Sequence, residues 1–575
     1  MSEYFAKKPA SEAAAVILSR SEDWFKGLYS NGYFDKVKMS WLAYHGAYYG
    51  SDHSISFGGE QGELAQMAVN HYRNIGDLMC TLITNTRLAY RARATNSDSK
   101  SLIQTDLANG LLDYYVRQKR IEKYIQHSVK QAVILGSGYI KVDWNATSGE
   151  IYDYHPETNA PIYEGDIEFS NLEPFDVVFD PNKGSNDKHE WVVCRSFKNK
   201  YDLAAKYPEF KTKIENLGTK SDLINYKTGF TLASTEKSDD VPVYEFFHTR
   251  TESLPEGRYM LLLSPDLVLI DMPMPYRRLP IFRIVPAEIM GTPFGYTSMF
   301  DLLPLQDALN SLYSTVLTNQ HAFGVQNIYI PRGADIQYKA LEGGLNIIEG
   351  NSGAGEPKAM NFTQTPAEVF KFIEMLKKEM ETISGMNSVI RGDPEASIKS
   401  GAAMALVQSM ALQFISGLQT QYIHLVEDIG MMVVELLRDF ATVPRVALIA
   451  GESNYGYVKE EFTGDDLSEV DRVIVDIGNP IAVTNAGKMQ MASELLQYGL
   501  VKTPEDYYTV LNTGQFASFV EDPQKSNNFV KRENEKLLRG QPVRALATDA
   551  HTYHIRKHKA LLDDPDMRDS ESPVV

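Results

Sequence analysis

The chain has 575 residues, room for several domains, and its 43% hydrophobic and 23% charged content is the ordinary balance of a soluble globular protein. Its formal net charge of −18 has the wrong sign for a protein that grips nucleic acid by its phosphates, since lysine and arginine make those contacts. No apolar run of roughly eighteen residues occurs, so no membrane-spanning helix is expected.

In chain order, residues 1–31 read as peripheral, with an Ala-rich segment able to form a short helix and an apolar run of only about six residues, too short for the core of a signal peptide. Tyr33–Tyr49 is dense in aromatics (Tyr33, Phe34, Trp41, Tyr44, Tyr48, Tyr49) with few interleaved basic residues, which predicts a buried aromatic cluster rather than a base-stacking platform. Leu64–Ala92 and Leu102–Leu135 read as helical. Ile140, Val142 and Trp144 alternate with Lys141 and Asp143, so Tyr139–Trp144 reads as a strand. Further strands are predicted at Ile167–Phe169, Val177–Phe179, Trp191–Phe197, Val243–Thr249, Tyr259–Leu263 and Ile281–Val285. The first 290 residues are thus expected to form an α+β unit of antiparallel character. Cys80 and Cys194, far apart and the only two cysteines, do not form a disulfide framework and fit synthesis in a reducing compartment.

From Tyr296 to Ala322, apolar Leu302, Leu305, Leu309, Leu312 and Val316 recur at helical spacing. Val325–Ile330 and Leu345–Ile348 are short strand-like runs among turn-rich linkers such as Gly350–Gly355. A second helix is predicted from Pro366, with Thr365 as cap, Pro366 at the first helical position and Glu368 completing a capping box. Its stripe is Val369, Ile373, Leu376, Met380 and Ile383, and Gly385 ends it. The opposite face carries Lys371, Glu374, Lys378 and Glu381, with Glu374 and Lys378 spaced for an i, i+4 pair. Met386–Lys399 is a polar loop. A long helix then keeps its period through Met404, Val407, Phe414, Leu418, Tyr422, Leu425, Ile429, Met432 and Leu436. About forty residues would make a rod of roughly 60 Å, which needs packing partners along its length.

Arg445–Ala450 and Arg472–Asp476 read as strands that return the chain to the first unit's sheet. Helices are predicted at Ala486–Tyr498, Pro504–Leu511, Pro523–Leu538 and about Asp549–Leu562, before an acidic Ser/Pro-containing tail from Asp563. His551, His554 and His558, followed by Asp563 and Asp564, share one helix face and have the spacing of metal ligands. A polar or inter-subunit helix face, carrying also Arg556, Lys557 and Lys559, is the simpler explanation, and no metal or other cofactor is expected. No G-x-x-x-x-G-K-[ST], G-x-S-x-G, H-E-x-x-H or C-x-x-C occurs; Asn485-Ala486-Gly487-Lys488 lacks the preceding glycine loop. A nucleotide-driven motor is therefore not expected, nor an enzyme of any of these classes.

The order helix, small β insertion, helix, loop, long helix resembles the portal protein of tailed bacteriophages. The resemblance is carried by Pro293–Tyr313 (PFGYTSMFDLLPLQDALNSLY), Ser400–Leu406 (SGAAMAL), Pro174–Pro181 (PFDVVFDP) and Tyr201–Pro208 (YDLAAKYP), and spans the chain from about Gly32 to Asp566. It implies an α+β portal-like fold: wing (1–290 and 441–484), stem (291–323 and 366–385), clip (324–365), tunnel loop (386–399), channel helix (400–440) and a helical crown with its tail (485–575). It further implies a ring, dodecameric in the assembled family, at the unique head vertex of the virion, made in the host cytoplasm. Double-stranded DNA would pass through it non-specifically in packaging and ejection. Implied partners are the terminase motor, a tail or adaptor protein, capsid and scaffolding proteins, and no membrane. The acidic net charge suits a conduit along which DNA slides. Asn387, Ser388, Arg391 and Lys399 of the loop would face the DNA, and Lys371, Glu374, Lys378 and Glu381 are the candidates for the channel face. Two other classes are compatible with the same residues: another large neck or tail adaptor of the virion, and a metal-dependent hydrolase using His551, His554 and His558.

Overall fold

The computed structural model describes residues 4–46, 67–84, 89–94, 99–156, 161–181, 183, 189–218, 239–323, 326–331, 345–350, 366–386, 413, 415–442, 445–450, 457–468, 470–476, 496–497, 530, 533–534, 536–537, 541–545 and 551–562. The chain opens with α1 (Ala10–Ser30), α2 (Tyr33–His45) and α3 (His71–Thr84), followed by β1 (Ala89–Ala94), α4 (Ser99–Gln118) and α5 (Ile121–Leu135). Strands follow as β2 (Gly138–Asn145), β3 (Ile151–Tyr154), β4 (Pro161–Tyr163), β5 (Asp166–Leu172), β6 (Val177–Phe179) and β7 (Trp191–Asn199). After α6 (Lys200–Lys206) and α7 (Lys211–Glu215) come β8 (Asp240–His248), β9 (Arg258–Ser264), β10 (Leu267–Met272), β11 (Ile281–Ile284), β12 (Ala287–Glu288) and β13 (Gly295–Tyr296). The second half holds α8 (Met299–Phe323), β14 (Gln326–Pro331), β15 (Leu345–Gly350), α9 (Ala367–Ser384), α10 (Ser416–Phe440), β16 (Arg445–Ala450), β17 (Tyr457–Phe462), β18 (Val470–Asp476) and α11 (His551–Leu562).

The fold is α+β. Five strands form an antiparallel sheet in the order β10-β9-β8-β7-β6, and three form another, β11-β2-β5. Each strand expected before residue 290 is present within a few residues of its predicted bounds. Tyr33, Phe34, Trp41 and Tyr44 are all buried, as expected of a core aromatic cluster, while Tyr48 and Tyr49 lie outside the described residues.

Several expectations need correction. Ala89–Ala94, read as the end of a helix, is a strand. It pairs antiparallel with β18, Tyr90 opposite Val475 and Ala92 opposite Val473, and the inward side chains Tyr90, Ala92, Val473 and Val475 are buried. The predicted helix 102–135 is two helices, broken where Arg120 takes a left-handed backbone (φ 51°). Of the two expected return strands, β18 does pair with the N-terminal region, but β16 pairs with its own neighbour β17 as a hairpin. The cap of α9 is Pro366, which offers no side-chain acceptor, and Thr365 lies outside the described residues. Ile415 leaves helical geometry (φ −99°, ψ 12°), so the described helix starts at Ser416 and its 25 residues span about 37 Å; residues 400–412 of the expected rod lie outside the described residues.

α10 is the spine of the molecule. Ile429–Leu437 are buried without interruption, which a helix can achieve only when elements pack on every side. One side meets β1 and β18, where Glu427 accepts the Val475 backbone N–H at 3.0 Å. Gly430 is needed here: a Cβ at that position would stand 2.7 Å from Tyr90 Cδ1 and 3.0 Å from Val473 Cγ1. Another side meets β11 and β2, and near the helix end Phe440 stacks on Trp144 with ring centroids 5.6 Å apart. Arg278 donates to Glu435 through two bonds of 3.0 and 2.8 Å, and Arg277 does the same to Asp439 at 2.7 and 2.8 Å.

The sheets also enclose one buried ionic cluster. Lys141 Nζ lies 2.6 Å from Glu245 and 2.8 Å from Asp143, with Lys198 3.7 Å from Glu245 at the cluster's exposed edge. Burial works against the charged Lys141, but Glu245 and Asp143 outweigh it and hold the ammonium well above its usual value. Burial likewise raises Glu245, and Lys141 with Lys198 overcomes it, so the carboxyl ends below its usual value. For Asp143 burial prevails over Lys141 and the pKa is raised.

Candidate functional site

The Pro293–Tyr313 segment packs deep into the fold. Phe294 stacks on Tyr33 with centroids 4.7 Å apart and leans on Trp24 at 5.1 Å, while the Tyr33 hydroxyl donates to the Gly295 carbonyl at 2.9 Å. Gly295 lies so close to the turn after α5 that a Cβ on it would come within 1.9 Å of the Gly136 carbonyl oxygen. The Thr297 hydroxyl donates to the Val133 carbonyl at 2.7 Å and accepts the Met299 N–H at 3.3 Å, fixing where α8 begins. Burial, then hydrogen bonding to Asp301, pushes the Tyr296 hydroxyl up to about 12. The aromatic–Gly entry thus sets the direction in which α8 leaves the body.

The Leu-Gln-Asp-Ala-Leu-Asn run does a second job that the sequence reading missed. Gln306, Asn310 and Ser314 stand four residues apart on one buried stripe of α8 and bind the backbone of residues 67–72, the segment leading into α3 and its first turn. Gln306 accepts the Tyr72 N–H and donates to the Val69 carbonyl, both at 2.9 Å. Asn310 accepts the Val69 N–H at 3.2 Å and Ser314 the Met67 N–H at 3.1 Å. Each buried amide therefore has a partner, and the polar stripe acts as a clamp. A buried Gln-x-x-x-Asn-x-x-x-Ser stripe was the available signal.

α9 packs against α8 by Ile373, Leu376 and Met380, with Lys377 Nζ 5.6 Å from the centre of the Tyr313 ring. Two strands of the segment between these helices, β14 and β15, pair parallel, Ile328 opposite Ile347. Lys371, Glu374 and Lys378 are exposed on α9 and Glu381 is half-buried. Among the described residues no ion pair joins Glu374 to Lys378, so the favourable pair expected from their spacing does not form. The outer surface is also more apolar than expected: Phe370, Phe372 and Met375 are 47%, 43% and 50% exposed, and Ile383, assigned to the inner stripe, is 39% exposed.

Gly385, in left-handed geometry (φ 71°), ends α9, and Met386 after it is buried. The loop residues Asn387, Ser388, Arg391 and Lys399 lie outside the described residues, as do residues 400–412 of the expected channel helix. Where the following helix is described, Ile429–Leu437 have no exposed face to line a channel.

At the C-terminal end, His554 and His558 come together on α11 but His551 does not join them. The third member is Glu533, from helical backbone earlier in the chain, and the ligating atoms of Glu533, His554 and His558 all lie within 4.8 Å of one another. Asp563 and Asp564 lie outside the described residues. Sequence spacing could pick out the two histidines but not a partner 21 positions away.

Among the described residues no helix is long and apolar enough to cross a membrane. Compared with known families, residues 60–488 match the model of the phage P22-like portal protein. No curated protein matches the chain.

Proposed function

The chain belongs to the phage P22-like portal protein family, a structural and not a catalytic family, and on that premise we propose that it forms the ring at the unique head vertex, the conduit for DNA packaging and ejection. The observation that carries this reading is the extent of the match, residues 60–488, which takes in most of the folded body and the α8, insertion, α9 arrangement in one stretch. In this reading residues 1–290 and 441–484 are the wing, 291–323 and 366–385 the stem, 324–365 the clip, and 485–575 the crown. The clip docks the packaging motor and later the tail or adaptor; capsid and scaffolding proteins meet the ring from the head side.

Two features of α9 support a ring. Its exposed Phe372 and Met375 on one flank of the buried stripe and Phe370 on the other are apolar side chains of the kind that neighbouring subunits cover. Its exposed Lys371, Glu374 and Lys378 mix the two signs, and cyclic symmetry would repeat them as mixed rings rather than one adhesive basic wall. The tunnel loop then supplies point contacts, Arg391 and Lys399 toward phosphates beside Asn387 and Ser388, with Asp393 and Glu395 limiting their grip.

The test is negative-stain imaging of the purified full-length chain, with rings and an axial opening expected. Arg391→Ala with Lys399→Ala should leave the rings intact but alter DNA retention or completion of packaging in assembled heads. Monomers at every concentration tried would overturn the ring. Normal rings with wild-type packaging and retention would reduce the loop to a connector.

A further inference from the structure

We propose that Glu533, His554 and His558 form a binding site for a zinc-like divalent cation that ties the last described helix to the preceding segment. His554 and His558 are four residues apart on α11, so their rings project from one face, with centroids 5.7 Å apart. Glu533 reaches both: its Oε2 is 2.9 Å from His554 Nδ1 and 3.3 Å from His558 Nε2. Around a tetrahedral ion with bonds of about 2.0–2.2 Å, neighbouring ligand atoms are about 3.3–3.5 Å apart. The two Glu533 contacts are therefore close to the spacing such an ion sets, and all three atoms lie within 4.8 Å of one another, so modest side-chain shifts would admit it.

Three further observations favour a cation over a chance meeting of side chains. Glu533 is 8% exposed and His554 12%, so the site is shielded while His558, at 29%, leaves an approach. The other ring nitrogen of His558, Nδ1, is 2.5 Å from Asn534 Oδ1, an atom that can only accept. In the neutral ring that contact would put the proton on Nδ1 and turn Nε2 toward Glu533, the orienting arrangement found behind metal-bound histidine. Finally, two imidazoles and one carboxylate are a donor set that suits zinc and other late first-row ions better than magnesium or calcium, which prefer oxygen ligands throughout. Three protein ligands leave the fourth position to water. In a portal ring the site's role is mechanical: every subunit would carry the same cross-link at the end of its chain.

The test uses untagged full-length protein stripped of metal by a chelator and dialysed, then titrated with Zn²⁺, with Co²⁺ as the spectroscopic probe and Mg²⁺ for comparison. One Zn²⁺ per chain should be retained through gel filtration, Co²⁺ should give the visible absorption of a four-coordinate site, and Mg²⁺ should not compete. Glu533→Gln and His558→Gln should each abolish stoichiometric binding. Asn534→Leu should weaken it by about 10–100-fold, the usual consequence of losing an orienting partner. His551→Gln should bind as wild type does. The proposal is overturned if wild-type protein retains no more Zn²⁺ than the His554→Gln/His558→Gln double variant, or if His551→Gln loses as much as His558→Gln. Wild-type protein that fails to retain one Zn²⁺ per chain also overturns it, and that readout involves no variant that could misfold.

Discussion

Replacing Lys141 by Met tests whether the buried ionic cluster holds the two sheets of the N-terminal unit together. Lys141 lies on β2 of one sheet and Glu245 on β8 of the other, and their side chains are 9% and 8% exposed. Removing the ammonium leaves Glu245 buried with only Lys198, 3.7 Å away and half exposed, as a counter-charge. Breaking a buried pair from one side costs about 3–5 kcal/mol; with Lys198 still present the low end applies, about 3 kcal/mol. For a cooperative unit of this size that lowers the melting temperature by roughly 6–12 °C, measured by calorimetry at fixed protein concentration. The pH dependence separates electrostatics from lost packing. In wild type the Glu245 carboxyl is held below its usual value, so its contribution is present above the unfolded pKa and is lost as pH falls through the lower folded value. Asp143, whose pKa is raised, works the other way: it costs stability when charged and costs less as pH falls. In the variant, burial acts on Glu245 with far less opposition, its folded pKa rises, and its penalty is relieved as the pH falls and the carboxyl is protonated. The gap between variant and wild type should therefore narrow between about pH 7 and pH 5. A shift under 2 °C, or a gap that stays constant across this range, would refute the reasoning.

Gly430→Val should force its side chain into Tyr90 and Val473, whose atoms stand 2.7 and 3.0 Å from where the Cβ would be, at a cost of about 1–3 kcal/mol. Hydrogen exchange should then quicken in residues 89–94 and 470–476 and be unchanged in β6–β10. Arg278→Ala should cost about 1–2 kcal/mol, discounted because Arg278 is 37% exposed but not negligible because Glu435 is left 9% exposed without its two hydrogen bonds. Arg278→Lys should recover only part of it, since an ammonium cannot reproduce the paired geometry; full recovery would show that charge alone matters there.

Local pattern revealed what depends on local pattern. Tyr139–Trp144 alternates strictly and Ile373, Leu376 and Met380 keep a helical period, and both segments fold accordingly. Ala89–Ala94, with the sequence AYRARA, does not announce itself: alanine and arginine are good helix formers, and its strand partner is hundreds of residues away. The break at Arg120 involves neither glycine nor proline, so nothing in the composition marks it. At α8 the apolar repeat gave the helix and the Gln306, Asn310, Ser314 spacing was there to be read, but what that stripe binds is legible only once the backbone at 67–72 lies alongside. The same limit applies to the histidines, where spacing along one helix suggested His551 and the fold supplied Glu533.

The pairing of β1 with β18 has a consequence for how the chain is made. During synthesis β1 emerges early, while the strand that completes it lies some 380 residues further on, a delay of about 20–75 s at ordinary elongation rates. Over that interval the buried-side residues Tyr90 and Ala92 and the open backbone edge have no partner from β18, the condition in which a strand recruits a wrong one. Arg91 and Arg93 occupy the alternate, outward positions of the same strand, and charge there discourages pairing between nascent chains. Truncated chains ending before Val470 should therefore associate through residues 89–94, and far more so when Arg91 and Arg93 are replaced by Thr. The body of this protein closes only after residues 470–476 have left the ribosome.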